Sequence, residues 1–167
     1  VSRSSQPTPT VDDVLRVFFA QQRQSRPIRE DRSLRLEAHL RRCVEECGPA
    51  YISEEWWLVL QVEQCFDPED SFARLLPADC LLPPMHDFLS PEWLFDHGTD
   101  RLVQVNHSYR LVCWLCSSGL VNLRELRPSI VRFMIRQDEL TVRSKAGKGP
   151  EVPHQPADAL IRREDLP

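Results

Sequence analysis

Residues 101–144 constrain the chain most: RLVQVNHSYRLVCWLCSSGLVNLRELRPSIVRFMIRQDELTVRS. An apolar segment, a glycine-marked turn, a short amphipathic piece and an alternating stretch follow one another without a long gap. Residues 102–105 read as a short strand. Ser108 then caps a helix that ends at Gly119, a left-handed C′ residue. Asn122 caps a shorter helix over 123–127, and Pro128 interrupts it by biasing Arg127 away from the helical region. Beyond it, Val131, Phe133 and Ile135 alternate with Arg132, Met134 and Arg136. Gln137-Asp138-Glu139 makes a turn, and Leu140 and Val142 resume the alternation, so 130–143 is predicted as a β-hairpin. The competing pattern is a kinked helix with Leu123, Leu126, Ile130 and Phe133 inward.

Upstream, the apolar residues repeat at helical spacing. Thr10 has the place of an N-cap and Asp13 the third position of a capping box. Val11, Val14, Leu15, Phe18 and Phe19 then share one face of a helix over 11–23. A second helix, capped by Asp31 or Ser33, runs to Cys47 with Leu36, Leu40, Cys43, Val44 and Cys47 inward, and Gly48-Pro49 ends it. Ser53-Glu54-Glu55 opens a third, a capping side chain followed by acids at the positive end of the helix dipole. Its run WWLVLQVEQCF also alternates like a buried strand; the start signal favours helix over 54–65. Asp67-Pro68 starts a short helix, prolines confine 77–89 to turns and single-turn pieces, and Ser90-Pro91-Glu92 opens a compact helix closed by Gly98. The expected fold is mainly α: a compact multi-helix domain over 10–144 with a small C-terminal β-hairpin. Flexible segments are expected at 1–9 and 145–167.

Charge is unevenly placed. Residues 51–100 carry one Arg against eleven acids, whereas 101–150 carry nine Lys or Arg against three acids. Such a dipolar chain suits a partner, a nucleic acid, or complementarity between its own halves. Hydrophobic residues make up 41% of the chain, enough for a sizeable core that needs no disulfide staples. The six cysteines therefore read as thiols of a reducing compartment, cytosol or nucleus. No apolar run is long enough to span a membrane, and no membrane partner is expected. The chain begins at Val1, which reads as a segment of something longer.

Chemistry is sparse. Cys113 and Cys116 have the spacing of a metal or redox pair, but Trp114 and Leu115 between them favour two core cysteines on one helix face. The five histidines show no metal-ligand spacing, and no cofactor is expected. No nucleophile elbow, phosphate loop or dinucleotide glycine pattern occurs, so a hydrolase is a distant third reading with no site to name.

A helix, a glycine turn, a short helix and a hairpin also make the latter part of a winged-helix arrangement. Arg132, Arg136 and Arg143 on its hairpin edge, with Lys145 and Lys148 beyond and Arg124 and Arg127 on the short helix, would then contact phosphates. That nucleic-acid-binding module is the second reading. The first is a non-catalytic scaffold or adaptor domain of a larger intracellular, nuclear protein, bound to another protein of its complex. Trp56 and Trp57 carry it. Neighbouring side chains on a helix diverge by about 100°, so one indole is expected in the core and the other exposed as an interface anchor.

Overall fold

The computed structural model describes residues 8–25 and 30–146. Six α-helices account for most of them: α1 Val11–Ser25, α2 Glu30–Cys47, α3 Glu54–Phe66, α4 Ser71–Leu75, α5 Gly98–Ser118 and α6 Leu123–Ala146. Residues 78–89 wind through consecutive single-turn 3-10 pieces, as their prolines require. Among the described residues no helix is long and apolar enough to cross a membrane.

The first helix begins as its sequence dictates. Thr10 Oγ1 accepts the Asp13 backbone N–H at 3.2 Å, and Asp13 returns a carboxylate to the Thr10 N–H at 3.1 Å. Val11, Val14, Leu15, Phe18 and Phe19 are all buried. The entry to α1 is also stitched to the middle of the chain. Val11 N–H donates to Leu76 O and Ala78 N–H to Pro9 O, both at 2.9 Å, forming an isolated antiparallel bridge between Thr10 and Pro77. α1, α2 and α4 pack together, and the Arg41 guanidinium of α2 lies between Asp12 of α1 at 2.8 Å and Asp70 ahead of α4 at 3.4 Å. Glu45 of α2 caps α4: its two carboxylate oxygens accept the Phe72 and Ala73 N–H groups, each at 2.9 Å. Phe72, Leu81, Met85, Phe88 and Leu89 complete the core beneath.

The C-terminal third departs from expectation. Residues 130–143 form no hairpin; they belong to α6, and among the described residues there is no strand beyond the single bridge. Strand alternation would put Val131, Phe133 and Ile135 on one buried face. Only Phe133 is buried, and its two alternates are exposed. The inward line is instead Leu126, Ile130, Phe133, Met134 and Leu140, spaced for a helix and packed on the core. Pro128 sits in the second turn, where it forfeits one bond, to Arg124 O, just after Leu126 N–H has closed the first on Asn122 O. The winged-helix arrangement goes with the hairpin.

Residues 102–105 are likewise part of α5, because Gln104, His107, Ser108, Leu111 and Leu115 keep one helical face buried through them. Gly119 ends α5 in the left-handed conformation, φ 70°, as its position foretold. The connection 119–122 folds α6 back onto α5. Two smaller expectations also shift. Asp67-Pro68 stays outside α4, which starts only after Asp70 has taken a left-handed φ of 50°. Ser90 opens one turn rather than a helix, and Gly98 begins α5 instead of closing an earlier element.

The 88–97 segment is strapped to its neighbours. Gln104, fully buried in α5, donates to Phe88 O at 2.8 Å and Trp93 O at 2.9 Å, and accepts Phe95 N–H at 3.0 Å. His39 of α2 stacks on Phe95 and reaches Trp93 O through Nε2 at 2.7 Å. A carbonyl only accepts, so that nitrogen carries the proton, which leaves Nδ1 to accept from Arg42.

Candidate protein-interaction surface

The unusual element is α3. Ser53 caps it, with Oγ facing Trp56 N–H at 3.4 Å, and Glu54 and Glu55 occupy the first turn. The helix reading of WWLVLQVEQCF holds, one residue longer than expected. Yet only Leu60 is fully buried. At about 100° per residue, Leu58, Val59, Val62 and Phe66 fall within an arc roughly 100° wide, pointing away from Leu60. Val62 is 60% exposed and Phe66 83%. Scattered apolar residues on a surface are ordinary; a contiguous helical face of them is not, and makes α3 the candidate.

Trp56 and Trp57 flank Leu60 on its two sides. Neither enters the core: they are 39% and 43% exposed. The expected division into one buried and one exposed indole is therefore corrected. The inward direction bisects the pair at Leu60, so each ring lies along the edge of the domain and presents one side to solvent.

The surroundings of this face are acidic. Residues 51–70 hold six acids and no Lys or Arg. Arg74 neutralises two of them, Glu63 at 3.4 Å and Asp67 at 2.7 Å, and Arg41 meets Asp70. Glu54, Glu55 and Glu69 have no basic partner among the described residues. Just ahead of α3, the Tyr51 hydroxyl donates to the Asp87 carboxylate at 2.7 Å; burial and that carboxylate push its pKa up to about 12.

The basic residues named from sequence lie on α6, not on a wing. Arg132, Arg136 and Arg143 do share one helix face. Arg136 is committed, with Nε on Leu89 O and Nη1 on Glu139, both at 3.0 Å. Arg124 and Arg127 are exposed near the start of the helix. Arg127 and Arg132 point roughly 140° apart at about 100° per residue, so these cations form no single row along a phosphate backbone. Val131, Ile135 and Val142 occupy the outward face between them. Lys145 lies in the last turn of α6, and Lys148 falls outside the described residues.

Cys113 and Cys116 are not the paired core cysteines expected. Cys113 is exposed and Cys116 half-buried, because Val112 and Leu115 take the inward positions of α5. Among the described residues no three His, Cys, Asp or Glu side chains stand together as metal ligands. Of the imidazoles, His39 is held on Trp93 O, and His107 is buried with Nδ1 at 3.0 Å from Val103 O.

Sequence reasoning named the two tryptophans and missed Leu58, Val59, Val62 and Phe66. The signal was present: a helix apolar on every side must be covered on every side, and a domain this small has only one core to offer. Comparison with known proteins adds no relative: no family model, no curated protein and no solved structure matches this chain.

Proposed function

We propose that this chain is a non-catalytic docking domain, an adaptor or scaffold unit of a larger intracellular assembly, and that α3 is its partner-binding element. One observation carries the reading: a 13-residue helix buries one side chain fully and leaves six large apolar ones exposed. Val59, Val62 and Phe66 are spaced three and four apart, the seam spacing of helix-on-helix packing. The occupant is an amphipathic helix of another protein with Lys or Arg flanking its apolar stripe, since Glu54 and Glu55 open α3 and Glu69 follows it, none with a basic partner among the described residues. A second copy would set these acids against one another. Six unpaired thiols support a reducing compartment, nucleus or cytoplasm.

Fluorescence anisotropy with labelled amphipathic helical peptides tests this. Peptides with Lys/Arg flanks are expected to bind, and the same apolar stripe with Glu flanks to bind at least about tenfold more weakly. Val62→Glu with Phe66→Glu, both at exposed positions, is expected to abolish binding in folded protein. Equal binding of both peptide sets, or binding that survives the double substitution, overturns the proposal. A concentration-dependent dimer in sedimentation, lost in the double variant, overturns it in favour of a second copy.

A further inference from the structure

A cleft of about 630 Å³ opens between the 91–97 segment, the first half of α5 and the second half of α6. That volume lies within the usual range for small-molecule sites, about 300–1,000 Å³. Its apolar wall is aliphatic: Pro91 and Leu94 from the segment, Leu102 and Val105 from α5, Leu140 from α6. None of its described lining residues is aromatic, so a nucleobase has no ring to stack on.

Its charged lining is three arginines, Arg101, Arg136 and Arg143, against one acid, Asp96. Arg101 is anchored without being neutralised: Nε donates to Phe95 O at 2.9 Å and Nη2 to Asp96 O at 3.3 Å, both backbone carbonyls. Its Nη1 has no hydrogen-bond partner among the described residues. Arg136 is held on Leu89 O and shares its charge with Glu139, and its Nη2 has no hydrogen-bond partner among the described residues. Arg143 has no partner among the described residues. The 91–97 wall is itself fixed by Gln104, whose amide is bonded to Trp93 O and Phe95 N–H. Guanidinium groups fixed by backbone carbonyls lose little freedom when an anion arrives, the condition under which charge-assisted bonds contribute most to affinity.

We propose that this cleft binds a small amphipathic anion, a carboxylate or phosphate monoester with an aliphatic body. Arg101 and Arg143 hold the head group, Arg136 supports them, and the body lies on Leu94, Val105 and Leu140. This site is separate from α3 and does not depend on the docking reading.

Isothermal titration calorimetry of the whole chain with octanoate and octyl phosphate tests it, with octanol and octyltrimethylammonium as uncharged and cationic counterparts. Both anions are expected to bind once per chain, and both counterparts at least about tenfold more weakly. Two substitutions at exposed positions keep the test independent of folding. Arg143→Glu is expected to weaken the anions by about tenfold or more, and Asn106→Trp, which fills the cleft from α5, to remove binding. Octanol binding as tightly as octanoate overturns the proposal, as does indifference to either substitution in folded protein. Association with vesicles containing anionic lipid, in the absence of binding to the monomeric anions, overturns it too, since the charge would then be reading a surface and not filling a site.

Discussion

Gly48 lies against the ring of Phe72: a β-carbon at Gly48 would stand 2.5 Å from Phe72 Cζ. Gly48 follows α2 and Phe72 lies in the first turn of α4, and the ring fills the space a side chain would need. Both residues are buried, so the ring has nowhere to swing. Gly48→Ala is expected to cost about 1–3 kcal/mol, the range for overpacking a dense core. Urea unfolding measures it. Phe72→Leu in the Gly48→Ala background should recover part of the loss, because the smaller side chain clears the added methyl. Unchanged stability of Gly48→Ala would mean that the contact yields freely.

Glu45 should make the domain less stable as pH rises. Burial raises its carboxyl pKa, against the lowering effect of the Phe72 and Ala73 N–H bonds. The folded state then holds a proton that the unfolded chain has released, so stability falls between the ordinary carboxylate pKa and the raised folded one, and is level above. Glu45→Gln is expected to flatten that slope while keeping one acceptor for α4. Glu45→Ala leaves the Phe72 and Ala73 donors without an acceptor and should cost about 1–3 kcal/mol at neutral pH. Melts across pH in the three proteins check the sign.

His107 should act in the opposite direction. Burial lowers its pKa, only partly offset by the Val103 carbonyl, and its Nε2 is buried without a partner among the described residues. The unfolded chain takes up a proton at about pH 6.5 while the folded state resists, so stability falls as pH drops through that value toward the folded pKa. His107→Leu removes the titrating group and the unpartnered nitrogen together. Its melting temperature is expected to be less sensitive to acid than that of the parent, over the same window. An identical acid slope in both proteins would assign the effect elsewhere.

On α3, stability and surface character should separate cleanly. Leu60→Ala is expected to cost about 2–5 kcal/mol, as for a fully buried leucine. Val62→Glu and Phe66→Glu should each stay within about 0.5 kcal/mol of the parent, because neither side chain leaves a packed environment. Chemical denaturation of the three variants measures this. A large loss in Phe66→Glu would show that its ring is covered in solution.

The helices whose caps and apolar faces agree were legible in the sequence. Thr10 with Asp13, the α1 face, Ser53 and Gly119 are all found in their expected roles. What failed was local grammar overruled by packing. Pro128 looks like a stop in the sequence, yet near a helix start it forfeits only one bond, and the packing of Ile130, Phe133 and Leu140 on the core outweighs that. The alternation from Val131 to Arg136 fits a strand only while the burial of Phe133 is unknown, since two of its three apolar residues face outward. The exposed apolar face of α3 was half legible. Adjacency of Trp56 and Trp57 drew attention to α3, but which side meets the core is set by α4, which no spacing within α3 encodes. The cleft was not legible at all, because Arg101 and Arg143 meet only through the fold of α6 along α5.

The bridge between Thr10 and Pro77 has a consequence for the order in which the domain is built. Synthesis delivers α1 before the other described helices, and a helix of its length is marginal alone in water. Its buried face waits for α2 and α4, and the backbone groups at its entry wait for Leu76 and Ala78 to emerge. The first of the described helices is thus among the last to be locked. A ribosome stalled before residue 78 would hold α1 unlatched and open to protease, and release of that one further stretch would close it.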